Sequence, residues 1–341
     1  MKSAASPKKR LSNRILRGCV VVATASIAGW IPFACVGTDW QLPPTPDAGD
    51  EIALAEAGDA DAGVTCPAAA PFRTVAEVGG VNTTTDNEAK ATLTSDEKTI
   101  VFYRSGADVT GYQLYFATRD SPNDPFRTPT LVTGLPSGLT AADPALSADG
   151  NTMVFAFGPN GGTLTLYQTQ FNNAGVVGTL TPLLPPDWIA VSNRPFLTSD
   201  GSELFFASVH NSDAGQDQLF QAMKLEDGVF SEPILVPGLA PSDPNAYSDT
   251  APVLTQDELI MYFASTRPSL KGSVPWHTYQ TARTSVTDSF NNPTLMGTPV
   301  NTGGDAGVSD VPDWLSVDGC RLYFESTRNG NGTADLFVAS K

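Results

Sequence analysis

Short apolar runs, alternating with polar residues and separated by turns rich in Asp, Gly and Asn, recur from residue 66 to the end of the chain. The clearest is Asp318-Gly-Cys-Arg-Leu-Tyr-Phe-Glu-Ser-Thr-Arg328: a tight turn, an alternating strand and a polar exit. Four related phrases lie upstream, at Leu93–Phe102, Leu146–Phe155, Leu197–Phe206 and Leu254–Phe263, with Leu315–Phe324 as the fifth. In each, a Leu is followed by Ser or Thr, then by the turn Asp, then by a Phe. The turn aspartates, Asp96, Asp149, Asp200, Asp257 and Asp318, stand 53, 51, 57 and 61 residues apart. Spacing of this kind marks a repeat architecture, either a propeller or a solenoid.

Each repeat carries two further apolar runs. One follows a Gly/Asn/Asp-rich loop, as in Gln113–Ala117, Leu164–Tyr167, Gln218–Ala222, His277–Ala282 and Asp335–Ala339. The other opens on an aromatic, at Phe126–Val132, Phe171–Leu180, Phe230–Val236 and Phe290–Met296. A fifth aromatic-led run stands at the front, Phe72–Val78, while the last repeat ends at Lys341 without one. Each unit thus has four short strand candidates of period two. The front strand is expected to complete the last unit, which closes a ring and leaves only short edges. The predicted fold is all-β: a five-bladed β-propeller of four-stranded blades over residues 66–341.

The phrase Leu-Ser-x-Asp-Gly-x-x-Leu-Tyr-Phe-x-Ser-x-Arg resembles the TolB-like, WD40-like propeller repeat of bacterial envelope proteins. The fifth repeat fits best. The third has Val209-His210 at its exit, the first and fourth have Glu97 and Glu258 at the turn Gly, and the second has Phe157-Gly158 in place of Ser-x-Arg. The resemblance implies the propeller fold and an envelope setting. It implies no activity, because one scaffold hosts many functions.

The N-terminal part is of another kind. Residues 1–18 are basic, and Cys19–Cys35 is apolar and uncharged, the layout of a secretory signal. Phe33-Ala34-Cys35 resembles a lipoprotein signal, which would make Cys35 the lipidated first residue, although Pro32 stands where that pattern has Leu. Ordinary cleavage after Ala28 or Ala34 is the alternative, and a retained anchor the third. Residues 36–65 form an acidic Pro/Ala/Gly/Asp linker that cannot bury enough apolar surface to become ordered. A tethered or surface lipoprotein and an untethered tail both fit this layout.

Charge and cysteines narrow the partners. The chain carries a formal net charge of −16, which disfavours nucleic acid. Cys66 precedes the closing strand and Cys320 begins the second strand of the last repeat. If the ring closes as expected, both belong to one blade and a disulfide would staple it; two unpaired thiols are the alternative.

Candidate chemistry is sparse. The two histidines, His210 and His277, lie in different repeats, and no zinc spacing occurs. Asp213–Asp217 and Asn329–Asp335 cluster oxygen ligands but fit ordinary turns better than a calcium loop. Nucleophile elbows and phosphate loops are missing, and Gly303–Gly307 is a weak candidate. Trp188 and Trp276 could stack on a sugar or a peptide, or fill gaps between blades. Paired carboxylates are the remaining enzymatic option. The strand before each turn Asp should line the funnel, which directs attention to Glu88, Asp249 and Asp310 eight residues before it, and to Lys90, Asp143 and Arg194 six before it. Glycoside hydrolysis needs two such acids at a set separation, yet a mixed-charge channel mouth satisfies the same pattern. The expectation is an exported binding or scaffolding module, monomeric and without cofactor or metal. Its partner would be an envelope protein or peptide. A glycan-binding or glycoside-hydrolysing propeller is the alternative. Function is expected where the repeats differ.

Overall fold

The computed structural model describes residues 65–341 apart from 107–110, 173, 186–187, 189–190, 211–214, 227, 244–245, 268–274 and 303–306. The signal, nearly all of the linker, Cys35, part of the Asp213 cluster and most of the Gly303 loop lie outside the described residues.

Five four-stranded antiparallel sheets form the blades. From the axis outward, blade 1 is β2 (Asn87–Leu93), β3 (Thr99–Ser105), β4 (Gln113–Thr118) and β5 (Thr130–Leu131). Blade 2 is β6 (Leu139–Leu146), β7 (Thr152–Pro159), β8 (Thr165–Gln170) and β9 (Thr181–Pro182). Blade 3 is β10 (Ser192–Leu197), β11 (Glu203–Ser208), β12 (Gln218–Met223) and β13 (Ile234–Leu235), and blade 4 is β14 (Asp249–Leu254), β15 (Ile260–Ser265), β16 (His277–Ala282) and β17 (Thr294–Leu295). Blade 5 joins β18 (Asp310–Leu315), β19 (Arg321–Ser326) and β20 (Asp335–Ser340) to β1 (Thr74–Glu77) from the front of the domain. Each inner strand packs on its neighbours, and β18 on β2 completes the ring.

The second strands explain the near-continuous apolar runs. Ile100, Val101 and Phe102 are all fully buried. Alternation here separates two cores rather than core from solvent: Leu204 and Phe206 join Val154 and Leu166 on the blade 2 side, while Phe205 joins Met261 and Phe263 on the blade 4 side. The outer strands of blades 1 to 4 shrink to two residues. Pro129, Pro233 and Pro293 immediately precede three of them, and Pro182 lies in the fourth. A residue without an N–H suits an edge and discourages pairing with another chain.

The repeated turn needs a left-handed residue after its Asp. Gly150, Gly201 and Gly319 adopt φ of 71°, 70° and 68°, but Glu97 and Glu258 adopt 55° and 58° without that freedom. Both glutamates are anchored. Glu97 accepts from Arg321 Nε at 2.8 Å and from the Tyr323 hydroxyl at 2.8 Å, tying blade 1 to blade 5. Glu258 faces Arg283 at 3.5 Å. The closing blade carries a second tie, a Cys66–Cys320 disulfide with a Cα–Cα distance of 5.1 Å.

Candidate functional site

The sequence-predicted funnel residues separate into two sets. Glu88, Asp249 and Asp310 open the inner strands of blades 1, 4 and 5, and each is bound within its own blade. Arg104 Nε donates to Glu88 at 2.8 Å, and the Thr83 N–H and hydroxyl donate at 3.1 and 3.0 Å. Arg267 donates to Asp249 at 2.5 Å. Asp310 accepts from Arg328 and from the Ser326 hydroxyl, each at 2.6 Å, and from the Thr302 N–H at 2.9 Å. Each arginine also lies over rings of the second and third strands: Arg104 over Tyr115 at 4.6 Å, Arg267 over Phe263 at 5.2 Å, and Arg328 over Phe324 and Phe337 at 4.6 and 5.0 Å. In blades 4 and 5 the Ser-x-Arg exit is therefore the cationic half of a clamp that locks the head of the blade, and Arg104 fills that role in blade 1. Blades without the acid keep the packing and drop the charge. In blade 3, Ser192 stands in the acid's place and His210 stacks on Trp188 at 3.9 Å. In blade 2, Ala141 stands there and Phe157 packs on Tyr167 at 5.4 Å. Trp188, which could have stacked on a ligand or filled a gap between blades, does the latter in the core between blades 2 and 3, its Nε1 donating to Ser192. Apolar packing against Phe206 and Phe220 outweighs display to solvent.

Lys90, Asp143 and Arg194 do meet, at the axis. Every inner strand has a bulge, at 90–91, 143–144, 194–195, 251–252 and 313. The bulge bends the strand and re-aims one side chain. Lys90, Asp143, Arg194 and Ala251 take φ of 48°, 53°, 50° and 53° there. Blades 2 to 4 place a Pro directly after this residue, whereas blade 5 reverses the order as Pro312-Asp313. The reversal puts Asp313 in the bulge, one position away from where a fixed offset would look for it.

Two residues absent from the sequence-based set complete the cluster: Asp313 and Glu325 of β19. Glu325 accepts two hydrogen bonds from Arg194, at 2.8 and 2.9 Å, and one from the Lys90 backbone N–H at 2.9 Å. Arg194 Nε lies 3.3 Å from Asp143, and its Nη1 lies 3.7 Å from Asp313. Lys90 Nζ donates to the Asp313 carbonyl at 3.1 Å. Arg194 of blade 3 thereby reaches Glu325 of blade 5 across the axis. One signal could have found Glu325: the residue after the repeat Phe is Tyr103, Ala156, Ala207, Ala264 and Glu325 in the five blades.

Burial dominates the electrostatics. It pushes Lys90 down to about 8, against the pull of Asp313, and pushes Asp313 far above the ordinary carboxylate range. Asp143 is also raised by burial, with Arg194 and Lys90 opposing. The Tyr103 phenol beside the cluster is raised well above its usual value, so it stays protonated. Lys90 and Arg194 thus lie among the carboxyl-bearing residues Asp143, Asp313 and Glu325. The cluster works as a plug that links blades 1, 2, 3 and 5.

The plug leaves openings elsewhere. A cleft of about 640 Å³ is lined by Thr85, Asn87, Ser105, Tyr112, Thr140 and Asn160, together with glycines of blades 1 and 2. At the turn end of the axis a smaller hollow of about 70 Å³ is lined by the repeat leucines Leu93, Leu146, Leu197, Leu254 and Leu315. Among the described residues no group of three or more His, Cys, Asp or Glu is placed to hold a metal ion.

No family model matches the sequence, and no curated protein matches it. Among solved structures, the chain is similar to a thermostable family-43 glycoside hydrolase, with a TM-score of 0.50, 14% identity, and coverage of 80% of this chain and 91% of that one. It is similar to the endo-arabinase of Bacteroides thetaiotaomicron, with a TM-score of 0.50, 14% identity, and coverage of 75% and 94%. TolB from Acinetobacter baumannii gives a TM-score of 0.43 at 16% identity, covering 75% of this chain and 55% of that one, so the chain spans about half of that TolB's length. At 14% identity the likeness to the two hydrolases speaks for the propeller fold alone.

Proposed function

We propose that the protein is an exported propeller that acts as a non-catalytic binding or scaffolding module of the cell envelope. One observation carries this reading: the carboxylates that reach the axis are consumed by cations. Glycoside hydrolysis requires two carboxyls open to sugar and water, one to give a proton and one to attack or to activate water. Asp143 and Glu325 instead hold Arg194, and Asp313 is fully enclosed. The disulfide supports export, because such bonds persist in oxidising compartments. The decisive experiment has two arms. In the first, the purified protein is incubated with a panel of polysaccharides that includes arabinan, and release of reducing ends is measured. In the second, crosslinking on the native envelope followed by mass spectrometry identifies what the propeller touches and whether Cys35 carries lipid. Hydrolysis that disappears on Asp143→Asn would overturn the reading.

A second reading rests on the cleft between blades 1 and 2. Uncharged hydrogen-bonding side chains beside the exposed ring of Tyr112 suit a glycan better than a charged ligand. Affinity electrophoresis through polysaccharide gels tests it, with retardation that Tyr112→Ala removes as the supporting result.

A further inference from the structure

The turn end of the axis combines features that the binding-module reading leaves without a partner. Five leucines, one from each repeat, converge there with Phe196 and Trp314 around a hollow of about 70 Å³. That space holds one short apolar side chain. Burying such a side chain in a formed apolar pocket is favourable.

The rim has the opposite character. The last lining residue before each turn is Ser95, Ala148, Ser199, Gln256 or Val317, and each is followed directly by a turn aspartate. Asp96, Asp149, Asp200, Asp257 and Asp318 therefore encircle the hollow, four of them exposed and Asp318 half-buried. They are fixed as acceptors. Hydrogen bonds from the Ser147 hydroxyl and the Asn151 N–H lower the Asp149 carboxyl, and those from Ser202 lower that of Asp200. Partial burial opposes the same effect at Asp96, where bonds from Thr94 and Lys98 outweigh it. The cations of this face are mostly engaged. Arg119 and Arg321 bind Glu97, and Arg283 binds Glu258, leaving Lys98 and Lys224 exposed beside the crown.

We infer that this face docks a basic polypeptide segment that inserts one aliphatic side chain into the leucine ring while flanking Lys or Arg residues meet the aspartate crown. The inference rests on the binding-module reading and names its site and the partner's chemistry. Charge complementarity selects the occupant: an anionic lipid surface would be repelled by the crown, and an acidic peptide likewise. An aliphatic side chain fits the hollow where a sugar ring does not.

The test uses the full propeller and a fluorescein-labelled peptide Lys-Lys-Leu-Lys-Lys, read by fluorescence anisotropy at about 20 mM salt, where screening is weak. Replacing the peptide's Leu by Ser, or its Lys residues by Glu, is expected to weaken binding at least about tenfold, ~1.4 kcal/mol. Ser199→Trp places an indole from an exposed rim position over the hollow and is expected to weaken binding by a similar factor with an unchanged melting curve. Asp149→Asn with Asp200→Asn keeps the turn geometry while removing two charges, and should reduce both affinity and its salt dependence. No binding by the wild type, equal binding of the Leu and Ser peptides, or undiminished binding by folded Ser199→Trp overturns the inference. An envelope partner whose crosslinking survives Ser199→Trp also overturns this site while leaving the binding-module reading standing. Hydrolysis of a polysaccharide would sink that reading instead.

Discussion

Glu325→Gln is the sharpest perturbation of the axis. It preserves side-chain size and an acceptor oxygen but removes the charge that Arg194 engages twice, at 2.8 and 2.9 Å. The Arg194 and Glu325 side chains are 15% and 11% exposed, so water cannot take over the vacated interaction. In the native cluster Arg194 lies against Glu325, Asp143 and Asp313. The substitution takes away the carboxylate that Arg194 holds with two hydrogen bonds in an enclosed site. Removing one member of a buried pair costs about 3–5 kcal/mol, against less than ~1 kcal/mol for an exposed pair. The gap between those figures is what the measurement decides.

Urea unfolding of wild type, Glu325→Gln, Arg194→Met and the double variant provides the assay, with midpoints compared at constant slope. Each single substitution is expected to cost about 3–5 kcal/mol. The double should fall short of the sum by ~2 kcal/mol or more, because it removes both partners together. About 0.5 M salt should change these differences little, since enclosed pairs are weakly screened. A loss below ~1 kcal/mol for Glu325→Gln would refute the reasoning. The axis would then be wet and its acids available to a substrate, and the argument that set catalysis aside would fail with it.

Three further outcomes are expected. Replacing Cys66 and Cys320 by Ala opens a loop spanning a sequence separation of 254, worth about 5 kcal/mol by chain entropy, read as a lower urea midpoint that reduced wild type reproduces. Asp217 is pushed by burial from 3.8 up to about 6, so the folded state binds its proton more tightly than the unfolded chain. The stability this gives is present at low pH and lost as pH rises through about 6; it amounts to at most ~3 kcal/mol. Burial lowers the pKa of His277 and works in the opposite direction, so the reading is the difference between wild type and Asp217→Asn in melting temperature from about pH 3.5 to pH 7. Gly80→Ala should cost more than ~2 kcal/mol in a thermal melt, because φ there is +90° and the added carbon would meet the Phe126 carbonyl oxygen at 2.0 Å.

The repeat made the blades, their strand order and the front-strand closure legible, because each rests on local patterning or on turn chemistry. Cys66 and Cys320 followed from that closure once both fell in one blade. The axial cluster was half legible. Lys90, Asp143 and Arg194 share an offset from the turn Asp, but Asp313 escapes it through the reversed Pro312-Asp313 order. Glu325 escapes it by coming from a second strand. Glu88, Asp249 and Asp310 share an offset as well, yet their arginine partners sit on, or just past the end of, the neighbouring strand of the same blade. Offset alone cannot distinguish a side chain that faces the channel from one that braces the sheet. Blade 1 shows the difficulty, since its clamp comes from Arg104, two positions earlier in the repeat than Arg267 or Arg328.

Function was expected where the repeats differ, and at the axis that variation also has a structural cause. Five copies of one residue converge wherever the strands meet the axis. Five like charges at the bulge would repel one another across an enclosed space, so identity is not tolerated there. The set Lys90, Asp143, Arg194, Ala251 and Asp313 is one solution that mixes both signs of charge and packs. The variation among repeats at this level follows from closing the ring and requires no ligand. Leucine carries no such penalty. Five identical leucines, one at each interface between blades, can line one hollow together. The turn aspartates are repeated for their hairpin hydrogen bonds, and repetition sets them in a crown around that hollow. The most uniform part of the sequence thereby yields the opening, and the most variable part yields the plug.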